Sequence, residues 1–131
     1  MIVRRLEDLK AEGGTKTVGA GQVKTVRYLL SDDGAGFSVS DVTVPSQMDM
    51  VLQYKNHVEV NVILGGEGAV EDLATGEVHE LKPGMIYVVF PQDRHRLRIE
   101  NGMHVISIFN PPLIGTENYD ADGSYPAPTG T

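Results

Sequence analysis

The chain alternates polar and apolar side chains from His57 to Leu64 and then reaches two glycines. Because a strand places successive side chains on opposite faces, His57, Glu59 and Asn61 share one face, and the apolar residues between them share the other. The pattern predicts a strand and fits two interpretations. The polar face is either turned to solvent, as in many antiparallel sheets, or it presents metal ligands.

A second stretch, residues 83–99, favours metal binding. If the chain resumes as a strand after the proline of this stretch, His95 shares a face with Leu97 and Ile99, away from the two arginines between them. This arrangement predicts a buried imidazole. A buried imidazole needs partners for both of its nitrogens, and a metal ion is one such partner.

Short apolar runs separated by turn signals recur along the rest of the chain, about every 8 to 12 residues. They predict about eight to ten strands and almost no helix. The expected fold class is therefore all-β, a barrel or double-sheet jelly roll with short helical turns. Residues 1–120 are expected to form this single domain, and residues 121–131 a polar C-terminal tail that is at least partly disordered.

Several local features complete this prediction. Residues 1–4 are expected to form an edge strand, and residues 6–11 one or two helical turns. Asn101-Gly102 is a strong turn signal that predicts a hairpin joining residues 97–100 to residues 103–109. Of the other histidines, His79 is expected on the solvent side of a hairpin and His104 at the surface or rim.

Composition excludes some classes of function but does not identify one. The 131 residues include 18 acidic and 11 basic side chains, a net charge of −7, which argues against a nucleic-acid partner. No apolar run is long enough to span a membrane and the start lacks a signal peptide's apolar core, so a cytoplasmic protein without a membrane partner is expected. The absence of cysteine leaves any metal to nitrogen and oxygen ligands.

The order of several short motifs is more specific than composition. They are Tyr54-Lys55-Asn56-His57-Val58-Glu59, Gly66-Glu67-Gly68, Leu81-Lys82-Pro83-Gly84, Phe109-Asn110-Pro111-Pro112-Leu113 and Asp122-Gly123-Ser124-Tyr125-Pro126. At these separations they resemble the ectoine synthase family of the cupin superfamily, over nearly the whole chain. The resemblance implies a cupin barrel that binds one Fe²⁺ ion through Glu59, Tyr87 and His95. A nitrogen and oxygen ligand set also accepts other divalent metals.

The family resemblance also implies a reaction and a pocket. The reaction closes N-γ-acetyl-L-2,4-diaminobutyrate to ectoine with loss of water, as part of osmoprotectant biosynthesis. Tyr54, His57 and Glu117 are the expected catalytic residues. The residues expected to bind the small-molecule substrate are Arg27, Ser40, Tyr54, His57, Phe109, Glu117 and Tyr119. Arg27 is the expected partner of the substrate carboxylate, and a homodimer is expected.

Three positions depart from the family pattern. Val23 stands where the family usually has a tryptophan, Tyr119 where it usually has a histidine, and Val42 where a polar residue is expected. These departures leave two alternatives to ectoine synthase open. One is a related metal cupin that acts on another small amide or amino acid, and the other is a metal-binding or ligand-sensing cupin without turnover.

Overall fold

A computed structural model describes residues 1–19 and 23–127 and contains two antiparallel sheets with little helix. One short helix, α1, spans Leu6–Ala11, and a single 3-10 turn spans Ser31–Asp33. The strands are β1 Thr15–Val18, β2 Val23–Leu29, β3 Ser38–Val44, β4 Met48–Leu52, β5 Val58–Gly66, β6 Gly68–Asp72, β7 Val78–Leu81, β8 Ile86–Val89, β9 His95–Ile99 and β10 Met103–Asn110. The predicted all-β fold class is confirmed.

The two sheets divide the strands six to four. The larger sheet has the order β1-β2-β3-β10-β5-β8, and the smaller one has the order β4-β9-β6-β7. The hairpin on which His79 was expected is present, since β6 pairs with β7. Within the described part of the chain, no helix is long and apolar enough to cross a membrane.

The predicted hairpin at Asn101-Gly102 is wrong. The turn exists, and Gly102 has the positive φ of 96° that favours glycine. However, β9 pairs with β4 and β6, whereas β10 pairs with β3 and β5. Both edges of each strand are already occupied, so the turn carries the chain from the smaller sheet to the larger one.

The edge strand predicted for residues 1–4 is also wrong. These residues have no regular structure, whereas α1 follows where it was expected. The Arg4 guanidinium donates hydrogen bonds to both Asp33 carboxylate oxygens, at 2.8 and 2.9 Å, and to the Tyr28 carbonyl at 2.7 Å. Side-chain contacts of one arginine hold this segment, instead of a ladder of backbone hydrogen bonds.

The interior between the sheets has two ends of different character. The first, called the apolar end, is a cluster of aliphatic and methionine side chains: Val18, Val23, Val44, Met48, Leu52, Ile63, Val70, Leu81, Leu97, Ile99, Met103 and Val105. The second, called the polar end, holds Glu59, Asn61, His57, Arg27, Ser40 and Ser107 beside an aromatic cluster of Tyr54, Phe109 and Tyr125.

The segment after β10 packs onto the polar end. Of the residues expected to form a C-terminal tail, 121–127 are described and 128–131 lie outside the described residues. Ser124 and Tyr125 are buried. The Ser124 hydroxyl accepts the Lys55 backbone N–H at 3.0 Å, and the Asn56 amide donates to the Tyr125 carbonyl at 2.9 Å. These contacts attach the segment to the chain that enters β5.

Candidate active site

The polar face of β5 lies inside the molecule. His57 is fully buried beside the start of the strand, and Glu59 and Asn61 are buried within it. The valines between them are only half-buried, and Leu64 is 48% exposed. The solvated-face interpretation of this strand is therefore wrong. Buried charged and amide groups lower stability unless they are paired, so their inward position indicates a function.

A row of polar side chains crosses the inner face of the larger sheet. Arg27 of β2 pairs in register with Ser40 of β3, and Ser40 pairs with Ser107 of β10. Ser107 in turn pairs with Asn61 of β5, and Asn61 with Tyr87 of β8. The five residues come from five neighbouring strands and all line one interior cavity of about 50 Å³. Neighbouring strands lie about 4.8 Å apart, so the row extends from one side of the cavity to the other.

Glu59 sits at the centre of a hydrogen-bonded group. Its Oε1 accepts the Asn61 amide N–H at 2.8 Å, and its Oε2 accepts the Tyr54 hydroxyl at 3.2 Å. Burial raises the pKa of Glu59 to about 7, although both hydrogen bonds act in the opposite direction. A cation beside this carboxylate would favour its ionised form.

His95 is buried with Leu97 and Ile99, as its position in the sequence predicts. Its Nδ1 lies 2.9 Å from the Asp93 carbonyl oxygen, which can only accept, so Nδ1 carries the proton. The deprotonated Nε2 is buried and has no hydrogen-bond partner among residues 1–19 and 23–127. A backbone carbonyl that fixes the tautomer in this way, with the other nitrogen free, is typical of a histidine metal ligand.

Tyr87 connects the environments of the other two candidate ligands. It lines the interior cavity together with Glu59, and it also lines a side cleft of about 310 Å³ together with His95, between the free edges of β7 and β8. Burial and the nearby Glu59 charge raise the pKa of Tyr87 well above its usual value. Among residues 1–19 and 23–127, no three His, Asp or Glu side chains are placed to hold a metal ion. A metal centre at Glu59 and His95 would therefore need a ligand of another type, and Tyr87 is the one that the family resemblance implies.

Three tyrosines form an aromatic wall beside Glu59. The Tyr119 and Tyr125 rings stack, with centroids 4.7 Å apart, and the Tyr54 and Tyr119 hydroxyls lie 3.4 Å apart. Burial is the largest cause that raises the pKa of Tyr119, to about 12, so its phenol stays protonated and neutral. Phe109 packs edge-on against Tyr54, with centroids 5.4 Å apart. The wall closes the polar end with flat, neutral surfaces.

Arg27 and Ser40 have no hydrogen-bond partners within the described part of the chain. All three guanidinium nitrogens of Arg27 and the Ser40 hydroxyl are buried without a hydrogen bond to those residues. Arg27 lies on β2 and lines the cavity with Ser40. A buried guanidinium without an acceptor is unfavourable, so the arrangement suits an anionic ligand such as a carboxylate.

His57 and Glu117 lie behind the cavity lining. His57 contacts Phe109 and Tyr125 edge-on, with centroids 5.7 and 6.3 Å away, and neither of its ring nitrogens has a hydrogen-bond partner among the residues that the structure describes. Burial lowers the pKa of His57, although the Glu117 charge opposes this effect. Glu117 accepts the backbone N–H groups of residues 114 and 115, each at 2.8 Å. Burial alone would raise its pKa, but these hydrogen bonds and the Arg27 charge lower it below its usual value.

The three departures from the family pattern fall on two sides of the cavity. Val23 belongs to the apolar cluster and Val42 packs against it. Tyr119 belongs to the aromatic wall. The remaining histidines lie where the sequence predicts, with the His79 side chain 57% exposed and the His104 side chain 41% exposed beside Asp41.

The topology and the buried polar interior define a cupin-type protein. The chain superposes on a Schizosaccharomyces pombe Cnp3 cupin domain with a TM-score of 0.60, at 13% identity over 74% of this chain and 67% of that one, which establishes the fold alone. An ectoine synthase family model matches residues 1–129. The chain belongs to the ectoine synthase family.

Individual relatives agree with this family assignment. The L-ectoine synthase of Sphingopyxis alaskensis is 42% identical over 127 residues, which cover 97% of this chain and 91% of that protein. The crystal structure of ectoine synthase from P. lautus superposes with a TM-score of 0.80, at 35% identity over 88% of this chain and 81% of that one. The predicted family and the cupin-type architecture are confirmed.

Sequence analysis missed three residues of this site. Asn61 was placed on the polar face of its strand without a role, and Ser107 and Tyr125 were not singled out. The alternation of Ser107 with Val105 and Phe109 on β10 was a usable signal, because one hydroxyl stands in an otherwise apolar inner face. No local pattern indicated that Tyr125 returns to stack on Tyr119.

Proposed function

We propose that this protein is an L-ectoine synthase, a carbon–oxygen lyase that closes N-γ-acetyl-L-2,4-diaminobutyrate to ectoine with loss of water. The observation that carries the proposal is the polar row, which has an unpartnered guanidinium, Arg27, at one end and the candidate ligand Tyr87 at the other. The substrate has matching groups, with a carboxylate at one end and an acetamide at the other. Relatives that span nearly the whole chain are L-ectoine synthases.

The proposed reaction depends on one divalent metal ion, with Fe²⁺ as the first candidate. Glu59, Tyr87 and His95 would hold it, and the free Nε2 of His95 and the inward carboxylate of Glu59 suit this role. A bound divalent ion would supply Lewis acidity that polarises the amide carbonyl of the substrate. It would also favour the phenolate form of Tyr87, which burial alone disfavours.

The residues of the chain bind and orient the substrate in this scheme. Arg27 and Ser40 bind the carboxylate of the substrate, and the aromatic wall excludes water from the folded substrate. Holding the α-amine close to the amide carbon removes part of the entropic barrier to ring closure. When the new carbon–nitrogen bond forms, two protons leave the substrate nitrogens and depart with the carbonyl oxygen as water.

Tyr54, which lines the cavity, is proposed to exchange a proton with the substrate directly, whereas His57 and Glu117 are proposed to take part in proton transfer from behind the lining. The lowered pKa of His57 keeps its imidazole neutral near pH 7, in a form that accepts a proton. The Tyr54 hydroxyl lies 3.2 Å from Glu59 and reaches into the cavity, where it can donate. Glu117 orders the loop at residues 114–115 and lies close enough to His57 to oppose the lowering of its pKa, and close enough to Arg27 for that charge to lower the pKa of Glu117.

The first test is product formation. Protein loaded anaerobically with Fe²⁺ is incubated with N-γ-acetyl-L-2,4-diaminobutyrate, and ectoine is followed by chromatography. We expect ectoine to form and a chelator to abolish it. Loss of the metal's Lewis acidity in His95→Ala should lower the rate by about 10³-fold, since that effect is worth several kcal/mol. Ser38→Ala, which removes a buried hydroxyl that does not line the cavity and accepts the Leu113 backbone N–H at 3.0 Å, is the matched control.

Metal content gives a second readout of the same proposal. Glu59→Ala and His95→Ala should each reduce bound metal to near background while circular dichroism still reports a folded β-protein. Full metal retention in both variants would exclude this ligand set. Absence of ectoine from folded, metal-loaded wild-type protein would exclude the synthase activity.

A related cupin with another substrate, or with none, remains the second candidate. The observation that favours it is the composition of the cavity lining, where Val23 and Val42 extend the apolar cluster and Tyr119 adds a bulky phenol. If no ectoine forms, other small N-acylated amino acids are the next substrates to test. A bound but unconverted ligand would indicate a sensor.

The homodimer implied by the family resemblance and the cytoplasmic location expected from the sequence stay predictions. Ile2 and Val3 are 49% and 87% exposed, so the N-terminal segment is accessible to a second chain. Light scattering on the purified protein would measure the mass, and a value of one chain would exclude the dimer.

A further inference from the structure

Asn61 and Ser107 form a buried polar pair next to Glu59 that the proposed reaction has not used. Each is only 3% exposed, and they face each other in register on β5 and β10. The Ser107 hydroxyl donates to the Asn61 amide oxygen at 2.6 Å, and the Asn61 amide nitrogen donates to Glu59 Oε1 at 2.8 Å. The contacts form a directed chain that ends on a carboxylate.

The chemistry of the Asn61 amide determines the direction of these two hydrogen bonds. If the Asn61 amide were flipped, its oxygen would face the Glu59 carboxylate, and two acceptors would repel each other. Donation from Ser107 favours the amide orientation that avoids this repulsion. The pair therefore supplies a donor to one particular oxygen of Glu59, while Tyr54 supplies a donor to the other.

The surroundings make a purely structural role unfavourable. The next inward-facing residues on the same two strands, Ile63 and Val105, belong to the apolar cluster. Apolar side chains at positions 61 and 107 would extend that cluster without burying an amide and a hydroxyl. Replacing both partners of a buried hydrogen bond by apolar groups of similar shape is close to neutral for stability. The hydrogen bond to Glu59 is what the polar pair adds.

We propose that Asn61 and Ser107 are positioning residues that fix the orientation of the Glu59 carboxylate for metal binding. This inference rests on the proposed metal centre. Asn61 acts directly on Glu59, and Ser107 acts through Asn61. Residues that hydrogen-bond to metal ligands commonly change metal affinity about 10-fold to 100-fold when they are removed.

The test is a Co²⁺ titration of the full chain, read by calorimetry and by the visible absorption of the bound ion. Asn61→Leu should weaken Co²⁺ binding about 10-fold to 100-fold and shift the absorption bands, because the carboxylate loses its fixed orientation. Ser107→Ala should act in the same direction with a smaller change. Ser107→Thr, which keeps a hydroxyl, should restore affinity and spectrum, and Ser38→Ala should leave both unchanged.

Different results would overturn the positioning role of Asn61 and Ser107 and the proposed metal centre. If wild-type protein binds Co²⁺ and both Asn61→Leu and Ser107→Ala match it in affinity and spectrum, the positioning role is overturned and the metal centre stands. If wild-type protein binds no Co²⁺, the metal centre itself is overturned, and the positioning role with it. Should Asn61→Leu fail to fold, the Ser107→Ala and Ser107→Thr comparison decides the question alone.

Discussion

The two ends of the interior are built on the same strands with opposite chemistry. On β5 the inward side chains change from Glu59 and Asn61 to Ile63, and on β10 they change from Val105 to Ser107 within two residues. At the apolar end, burial of aliphatic side chains stabilises the fold. At the polar end, Arg27 and the His95 Nε2 atom remain without partners, which lowers stability. The contrast shows that one small interior has residues that stabilise the fold at one end and residues available for binding and catalysis at the other, although both sets lie on the same strands.

The largest effect on stability is expected at the apolar end. Ile63→Ala removes three carbons from a side chain that is 1% exposed. We expect the free energy of unfolding to fall by about 2 to 5 kcal/mol, measured by urea denaturation. Activity per folded molecule should change little, because Ile63 does not line the cavity. A variant that kept its stability but lost its activity would contradict this separation of the two ends.

The opposite response is expected at the polar end. Arg27→Met removes the unpartnered guanidinium but keeps an unbranched side chain of comparable length. The KM for the diaminobutyrate substrate should rise about 10-fold to 100-fold, as expected when a hydrogen bond to a charged group is lost. The free energy of unfolding should not fall, because a buried unpaired charge disappears. Steady-state kinetics and urea denaturation measure the two quantities, and an unchanged KM would exclude carboxylate binding by Arg27.

The smallest effect is expected outside both ends, at the Arg4–Asp33 ion pair. The hydrogen bond from Arg4, helped by the Leu30 backbone N–H, lowers the pKa of Asp33 to about 2. Because the folded-state pKa is lowered, the contribution of Asp33 is complete above the ordinary carboxyl pKa of about 4 and is lost as the pH falls through about 2.

Thermal unfolding of wild-type protein and Asp33→Asn between pH 2 and pH 7 measures this contribution. The wild-type advantage in melting temperature should be small at pH 7 and should disappear toward pH 2. Activity at pH 7 should be equal in the two proteins. A difference in melting temperature that grew toward acid would contradict the assigned pKa direction.

The sequence predicted the elements better than their arrangement. Alternation identified β5 and placed His95 in the interior, because the two-residue period of a strand is a local property. Whether the polar face of β5 points in or out depends on the sheet that covers it, and periodicity is identical in both cases. The hairpin at Asn101-Gly102 failed for a related reason. A turn signal specifies a reversal of the chain, but strand pairing depends on which edges are free.

The candidate site also depends on tertiary contacts that local sequence patterns do not predict. Family resemblance pointed to Glu59, Tyr87 and His95, and the structure places Tyr87 with Glu59 in the lining of the interior cavity and with His95 in the lining of the side cleft. Asn61 and Ser107 are 46 residues apart, and only the register of β5 and β10 makes them partners. Tyr125 stacks on Tyr119 after a turn at residues 120–124 that brings the chain back over the polar end. Contacts of this kind arise from tertiary structure and leave no periodic trace.

The central place of β10 has a consequence for how the protein is made. This strand is the last in sequence, yet it lies between β3 and β5 in the larger sheet. Until a ribosome has produced residues 103–110, those two strands each expose an unpaired edge. The barrel therefore closes only after most of the chain has been synthesised, and chains that end early are expected to be prone to aggregation.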